Sequence, residues 1–377
     1  VTDESLLNER KDNLLVAVHH FDNRYGVAAL DVTAGRFHVL ELDSLEHLYA
    51  ELERLNPAEL LFSEEAQYLN NLNQQLNRKI AIHQQPPWWF DVDSAQRVLN
   101  EQFGTRDLSG YGCDELNAAI MAAGCLMQYV QNTQRSALPH ITGLHVESTD
   151  NSVILDAASR RNLEIEVNLS GGTDNTLSSV IDRTTTSMGS RCLRRWLHNP
   201  LRDTEILQQR HQAIGELIQS GLYADLQQQL HAIGDVERIM SRIALGSARP
   251  RDLDTLRLSL QSLPDLQKLL GQFHAPLLKQ LSDEVNEHPD TAALLSAAII
   301  ENPPVLIRDG GVIAEGFNVE LDELRSLSKN ADDFLAQLEV RERENTGIKT
   351  LKVGYNRVHG FFIEISRLHS DEVPEEY

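Results

Sequence analysis

Three carboxylates near the start of the chain, Asp31, Glu41 and Asp43, are of the type that two-metal hydrolysis uses, where acidic side chains converge on ions about 4 Å apart. The first strand-like run, Leu14-Leu15-Val16-Ala17-Val18, contributes no acid to such a centre. All three carboxylates fall at strand ends, where turn formation and solvent exposure account for them, so nuclease chemistry is not expected. A phosphate cradle of the form GxxxxGK[ST] is absent. Gly171-Gly172-Thr173 lacks the following Lys and reads as a loop, and Gly310-Gly311 reads as a tight turn. His19 and His20 are neighbours in a strand and point to opposite faces, and His140, His145, His198 and His211 have no liganding period. No GxSxG elbow marks a nucleophile. The expected catalytic, nucleotide-binding and metal sets are therefore empty.

Two basic groups remain. In residues 182–203, Ser187 is a natural N-cap, and Met188, Cys192 and Trp196, with Leu193 and Leu197, repeat at helical spacing before Pro200 stops the helix. Its other face carries Arg191, Arg194 and Arg195 near the C-terminus, where cations meet the helix dipole favourably. They make either a solvated basic face or a contact with an acidic partner or neighbouring domain. The second group lies between Arg341 and His369, where six Lys and Arg face three Glu, a local +3 in a chain of net charge −22. Lys349, Lys352, Asn356, Arg357 and His359 are the candidates there for reaching phosphates without reading bases. A merely solubilised hairpin is the alternative.

The elements that position these groups change character along the chain. Residues 14–20, 26–31 and 36–42 read as strands, 44–55 as a helix ending before Pro57, 59–62 as a strand and 118–133 as a longer helix. Such a pattern predicts a mixed-sheet α/β domain ending near Pro139. From about Ser152 the periodicity is almost wholly helical, with Pro200, Pro250, Pro264 and Pro303-Pro304 marking helix ends. A long helix begins near Asn318 with Leu321, Leu324, Ala331, Leu335 and Leu338 spaced as in a heptad seam; running to Asn345 it would be roughly 40 Å long. It fits a lever or simply a helix packed in its own domain. After Thr346-Gly347, residues 350–366 switch to period two: Leu351, Val353 and Tyr355 share one face, Phe361, Ile363 and Ile365 the matching one, with residues 357–360 as the turn. A lone hairpin is marginal in water, so this one is expected to be disordered or held by packing.

Composition sets the outer limits. With 377 residues, 41% of them apolar, the chain can build two or three domains with real cores. A net charge of −22 opposes wholesale coating of nucleic acid, so any DNA contact must be local. Cys113, Cys125 and Cys192 form no CxxC pair and are odd in number, so neither a disulfide framework nor a thiolate zinc site is implied, and a reducing cytosol fits. No apolar run approaches the roughly 18 residues of a membrane span and no signal segment opens the chain, so a soluble, cytoplasmic protein is expected.

The stretch 182–203 also resembles the core-domain signature of the MutS DNA mismatch-repair family. The chain is similar to that family again at residues 100–108 (Asn-Glu-Gln-Phe-Gly-Thr-Arg-Asp-Leu), 156–164 (Asp-Ala-Ala-Ser-Arg-Arg-Asn-Leu-Glu), 302–316 and 351–365. The resemblance implies a ribonuclease H-like connector over residues 1–140, a helical core and lever over 141–345, and the beginning of a clamp, an incomplete β-hairpin, over 346–377. It implies a non-enzymatic middle piece of a bacterial-type protein whose mismatch-reading domain and ATPase lie elsewhere. ATP and Mg²⁺ would belong to that parent, with a MutL-like protein docking on the connector, double-stranded DNA held by the clamp, and homodimerisation. Arg191, Arg194 and Arg195 would then make a core contact facing the connector or the ATPase. The triplets Phe62-Ser63-Glu64 and Phe362-Ile363-Glu364 imitate the family's mismatch-reading motif but fall in the wrong domains, so they are expected to be strand core and hairpin packing. The rival reading is a helical interaction scaffold with a degenerate nuclease-like domain and no DNA role.

Overall fold

Alternation of apolar residues with period two sends successive side chains of a strand to opposite faces, and in this protein both faces are covered. The computed structural model describes residues 7–69, 72, 80–134, 137–148, 151–356, 360–366 and 373–374. The chain forms two compact units, Val1–Ser296 with Glu301–Gly310, and Ala297–Ile300 with Gly311–Tyr377.

The first unit opens with β1 (Leu14–Phe21), β2 (Arg24–Asp31) and β3 (Arg36–Leu42), an antiparallel meander, then α1 (Leu45–Leu55), β4 (Glu59–Ser63) and β5 (Ala81–Gln85). With β6 (His145–Val146) they make a sheet of order β5-β4-β1-β2-β3-β6, in which β4 runs parallel to β1, β5 to β4 and β6 to β3. One face, carrying Ala17, Ala28, Leu30 and Leu61, packs against α2 (Val92–Phe103) and α3 (Asn117–Gln134). The other, carrying Val16, Val18, Val27, Leu40 and Leu60, receives Leu48 and Leu52 of α1. Each fully enclosed Leu stabilises by about 1.5–3 kcal/mol relative to exposure. Gly26 lets α3 approach β2: a Cβ there would lie 2.0 Å from the backbone carbon of Ala118. Glu41 accepts from the backbone N–H of Ala119 in the first turn of α3, so this carboxylate holds a helix end.

Asp31 differs from its expected exposure. It is completely buried, and its carboxylate accepts from Asn13 N, Thr33 N, Thr33 Oγ1 and Ala34 N, closing the β2–β3 turn.

The rest of this unit is helical: α4 (Ala157–Asn162), α5 (Leu177–Ile181), α6 (Ser187–His198), α7 (Thr204–Ser220), α8 (Tyr223–His231), α9 (Val236–Ala244), α10 (Pro250–Leu270), α11 (Pro276–Glu284) and α12 (Pro289–Ala298). Two small cores hold it, one around Ala213, Leu266, Leu270 and Phe273, the other around Ile239, Leu256 and Leu260. Pro264 does not end a helix; it lies inside α10. Its missing N–H deprives the Leu260 carbonyl of an intrahelical donor, but Leu256 and Leu260 before it and Leu266 and Leu270 after it are all buried, so packing carries the helix through.

In the second unit, Ile299 pairs with Ile313, and α13 (Val319–Thr346) starts at Asn318, whose side chain accepts from Leu321 N, and ends at the left-handed Gly347. β7 (Lys352–Asn356) and β8 (Gly360–Glu364) form the antiparallel hairpin, with Val353 opposite Ile363 and Tyr355 opposite Phe361. Val353, Phe361 and Ile363 line an open apolar groove of about 450 Å³ with Phe334, Leu335 and Leu338 of α13, so the hairpin has one packed neighbour. Among the described residues no helix is long and apolar enough to cross a membrane.

Candidate functional site

Helix α6 is capped by Thr186, one residue before the expected Ser187: Thr186 Oγ1 accepts from Gly189 N at 3.0 Å and Ser187 is the first helical residue. Its burial is inverted relative to its apolar spacing. Ser190 and Arg191 are completely buried, whereas Trp196 is 47% exposed, with the Arg210 guanidinium 3.5 Å over its ring. The reason is pairing across the sequence, which hydropathy does not register.

Among the described residues Arg191 has the largest fully enclosed side chain. Its NH1 and NH2 donate to the two carboxylate oxygens of Asp235 at 2.7 Å each, NH2 donates to Glu237 at 2.7 Å, and NH1 donates to the backbone carbonyl of Glu9 at 2.7 Å. The two parallel bonds to Asp235 match the planar guanidinium fork, a geometry that Lys cannot reproduce. Burial works against the charge on Arg191, but the hydrogen bonds it donates to Asp235 and Glu237 overcome it and raise its pKa. A solvated basic face is thus excluded at this position.

Arg194 and Arg195 continue the same theme. Arg194 lies 3.0 Å from Glu166 and 3.6 Å from Asp182, and Arg195 is 3.1 Å from Asp12. Burial would raise the Glu166 pKa, yet the His198 hydrogen bond and the charges of Lys11, His198 and Arg194 hold it below the usual range. Asp182 is lowered against its own burial by hydrogen bonds from Ser190 and Thr184. Glu166 and Asp182, the two carboxylates beside Arg194, therefore stay ionised.

What the arginines grip is the segment just before β1. Asp12 meets Arg195 and Arg191 on α6 and Arg36 on β3, the last at 2.5 Å. Arg238 on α9 donates to the carbonyls of Asn8 at 3.3 Å and Lys11 at 2.9 Å. Nearby, Arg54 on α1 binds Glu51 and Glu147, and the charges of these partners raise its pKa despite burial. A crevice of about 240 Å³ is lined by Asp12, Glu147 and Glu166 together with Arg54, Arg194 and Arg195.

The ion pairs tie α6 to the segment before β1 and to the start of α9. Burial pushes the Cys113 and Cys125 thiols up, away from the reactive thiolate. Among the described residues, no group of three or more His, Cys, Asp or Glu is arranged to hold a metal ion. Asp12, Glu166, Asp182, Asp235, Glu237 and Arg238 were not singled out from sequence. The one local clue was Asp235, an N-cap residue that opens α9 two positions before Glu237.

The basic hairpin is a separate site in the second unit. Lys349 and Lys352 are exposed, and Lys352 stands opposite Glu364 in the ladder, which places a carboxylate beside it. Arg341 pairs with Glu342 at 3.1 Å. Arg343 pairs with Glu339 at 2.6 Å and donates to the Leu351 carbonyl, so it fastens the hairpin base to α13. Lys349 and Lys352 thus carry the outward positive charge of the described part. Arg357 and His359 lie outside the described residues, as does the side chain of Asn356.

A family model described as MutS domain II matches residues 13–142, and one described as MutS domain III matches residues 158–366, more than half of the 377 residues. These ranges take in β1 to β5 with α1 to α3, then α6, α9, the long α13 and the hairpin. The chain belongs to the MutS DNA mismatch-repair family.

Proposed function

We propose that this chain is the connector, the core and the start of the clamp of a longer mismatch-repair ATPase, and that it transmits position between a sensor and an engine. The observation that carries this reading is the buried Arg191 junction, which spends a fully desolvated charge on holding α6 against α9 and the segment before β1. Isolated buried ion pairs add little net stability, but breaking one is costly, so such a junction favours a defined geometry over mere cohesion. The proposed division is residues 1–140, 141–345 and 346–377. The sheet order, a three-strand meander followed by two parallel strands beyond β1, supports a ribonuclease H-like connector.

In the intact protein Lys349, Lys352, Asn356, Arg357 and His359 would meet DNA phosphates without reading sequence. A MutL-like protein would dock on the connector, and the protein would act as a cytoplasmic homodimer. ATP and Mg²⁺ do not fit the residues of this chain, which lacks a glycine-rich phosphate cradle and its Lys, so no step here runs through them. In a protein carrying the complete clamp, Lys352→Ala with Arg357→Ala should weaken DNA of every sequence alike and flatten the salt dependence of binding. An unchanged slope would remove the hairpin from the DNA contact.

A further inference from the structure

We infer that Asp12 is the positioning residue of an ionic clasp that keeps the connector sheet in register with core helix α6, and that loss of its single negative charge opens the clasp. This rests on the mechanical reading above only for its consequence, since the clasp itself is a property of the first unit.

Residues 8–12 belong to no helix or strand, so no backbone ladder sets their course. Five successive residues are instead held by side chains of the helical half. Asn8 and Lys11 offer their carbonyls to Arg238, and Glu9 offers its own to Arg191. Arg10 lies 3.7 Å from Asp182, and Lys11 Nζ lies 3.9 Å from Glu166. Among these five, Asp12 alone also has an ionic contact with the sheet, through Arg36.

The partners of Asp12 differ in how much they depend on it. Arg191 keeps Asp235 and Glu237 whether or not Asp12 is charged. Arg36 and Arg195 are each about one-third exposed and can turn to water. Removing the Asp12 charge therefore leaves the Arg191–Asp235–Glu237 network whole and severs the link between β3 and α6. Three guanidinium groups around one carboxylate also repel each other once it is neutral, which drives the two sides apart. That asymmetry is what separates a clasp from a core element.

The test uses the whole chain with spin labels at Glu101→Cys on α2 and Gln219→Cys on α7, both exposed, in a Cys192→Ser background where Cys113 and Cys125 are buried. Pulsed electron resonance should give one narrow distance distribution for the parent. Asp12→Asn should broaden it and add a second distance, and Asp12→Glu, which restores the carboxylate, should bring back the single one. An Asn distribution that superimposes on the parent's, or a Glu distribution as broad as that of Asn, overturns the proposal. Should Asp12→Asn fail to fold, raising NaCl on the otherwise unaltered labelled chain from about 0.05 M to about 1 M, which shortens the screening length to roughly 3 Å, reads the same clasp. A distance population that moves with salt supports it, and one that does not move overturns it. No DNA is present, so a failure here is distinct from a failure of the clamp assignment.

Discussion

Arg191 on α6 and Asp235 at the start of α9 face each other through two parallel 2.7 Å hydrogen bonds, with the guanidinium wholly shut off from solvent. The two lie 44 positions apart in the sequence, and the pair ties α6 to α9.

Replacement of Arg191 by Met should leave two carboxylates facing each other without their cation and cost about 3–5 kcal/mol, the range for breaking a buried pair from one side. Lys should recover only part of this, because a point charge cannot serve Asp235 and Glu237 in the same fork geometry. Urea unfolding of the three proteins, compared at constant m, reads both differences.

Two glycines should respond in opposite senses to the same added methyl. Gly26→Ala drives a Cβ to 2.0 Å from the Ala118 backbone and should destabilise by about 1–3 kcal/mol or more, since the helix must move. Gly215→Ala, inside α7 with no atom within 4 Å of the new carbon, should stabilise by about 0.5–1 kcal/mol through helix propensity. Thermal melts distinguish the two, and a gain at Gly26 would contradict the packing of α3 on β2.

Stability should fall in two steps as acid is added. His19 stacks on Phe90 at 4.7 Å, and burial, assisted by the charge of His20, lowers its pKa to about 4. Because the folded value lies below the unfolded value of about 6.5, the neutral ring favours the fold above pH 6.5, and that contribution is lost as pH falls toward 4. Burial lowers His38 in the same sense. Glu166 and Asp182, both lowered, give stability that is present above the ordinary carboxylate range and lost as pH drops through their folded values. His19→Phe should shallow the first step without abolishing it, and Glu166→Gln should shallow only the second. Unfolding free energies measured at a series of pH values would show this.

At the base of the hairpin, Lys349 and Lys352 are exposed and neither is in an ion pair with the carboxylates that hold Arg341 and Arg343. In a protein with a complete clamp, Lys349→Ala and Lys352→Ala should each reduce the salt slope of binding by about one unit if each contacts one phosphate. Lys352 should give the smaller change, because Glu364 sits opposite it. Fluorescence anisotropy at several salt concentrations measures both slopes.

Periodicity made much of the architecture legible. The β1–β3 meander, α1, β4, α3, the long α13 and the two hairpin strands all follow from alternation, helical spacing and turn residues. β5 was missed because an edge strand of sequence Ala-Ile-His-Gln-Gln has only weak alternation. α2 was missed although Asp91, which accepts from Ser94 N, and the left-handed Gly104 bracket it as ordinary caps. The site was harder to see for a different reason. At α6 the apolar stripe suggested that Trp196 would be inside and Arg191 outside, whereas the answer depended on Asp12, Asp235 and Glu237, which local spacing does not bring together.

A buried ionic joint, more than apolar packing, sets how α6 meets its neighbours. A double-mutant cycle on unfolding free energy, pairing Arg191→Met with Asp235→Leu, measures it most directly. The joint predicts that each single change is strongly destabilising and that the double change costs less than the sum of the two by about 2–3 kcal/mol. Additive losses would show that Arg191 and Asp235 do not act as a pair.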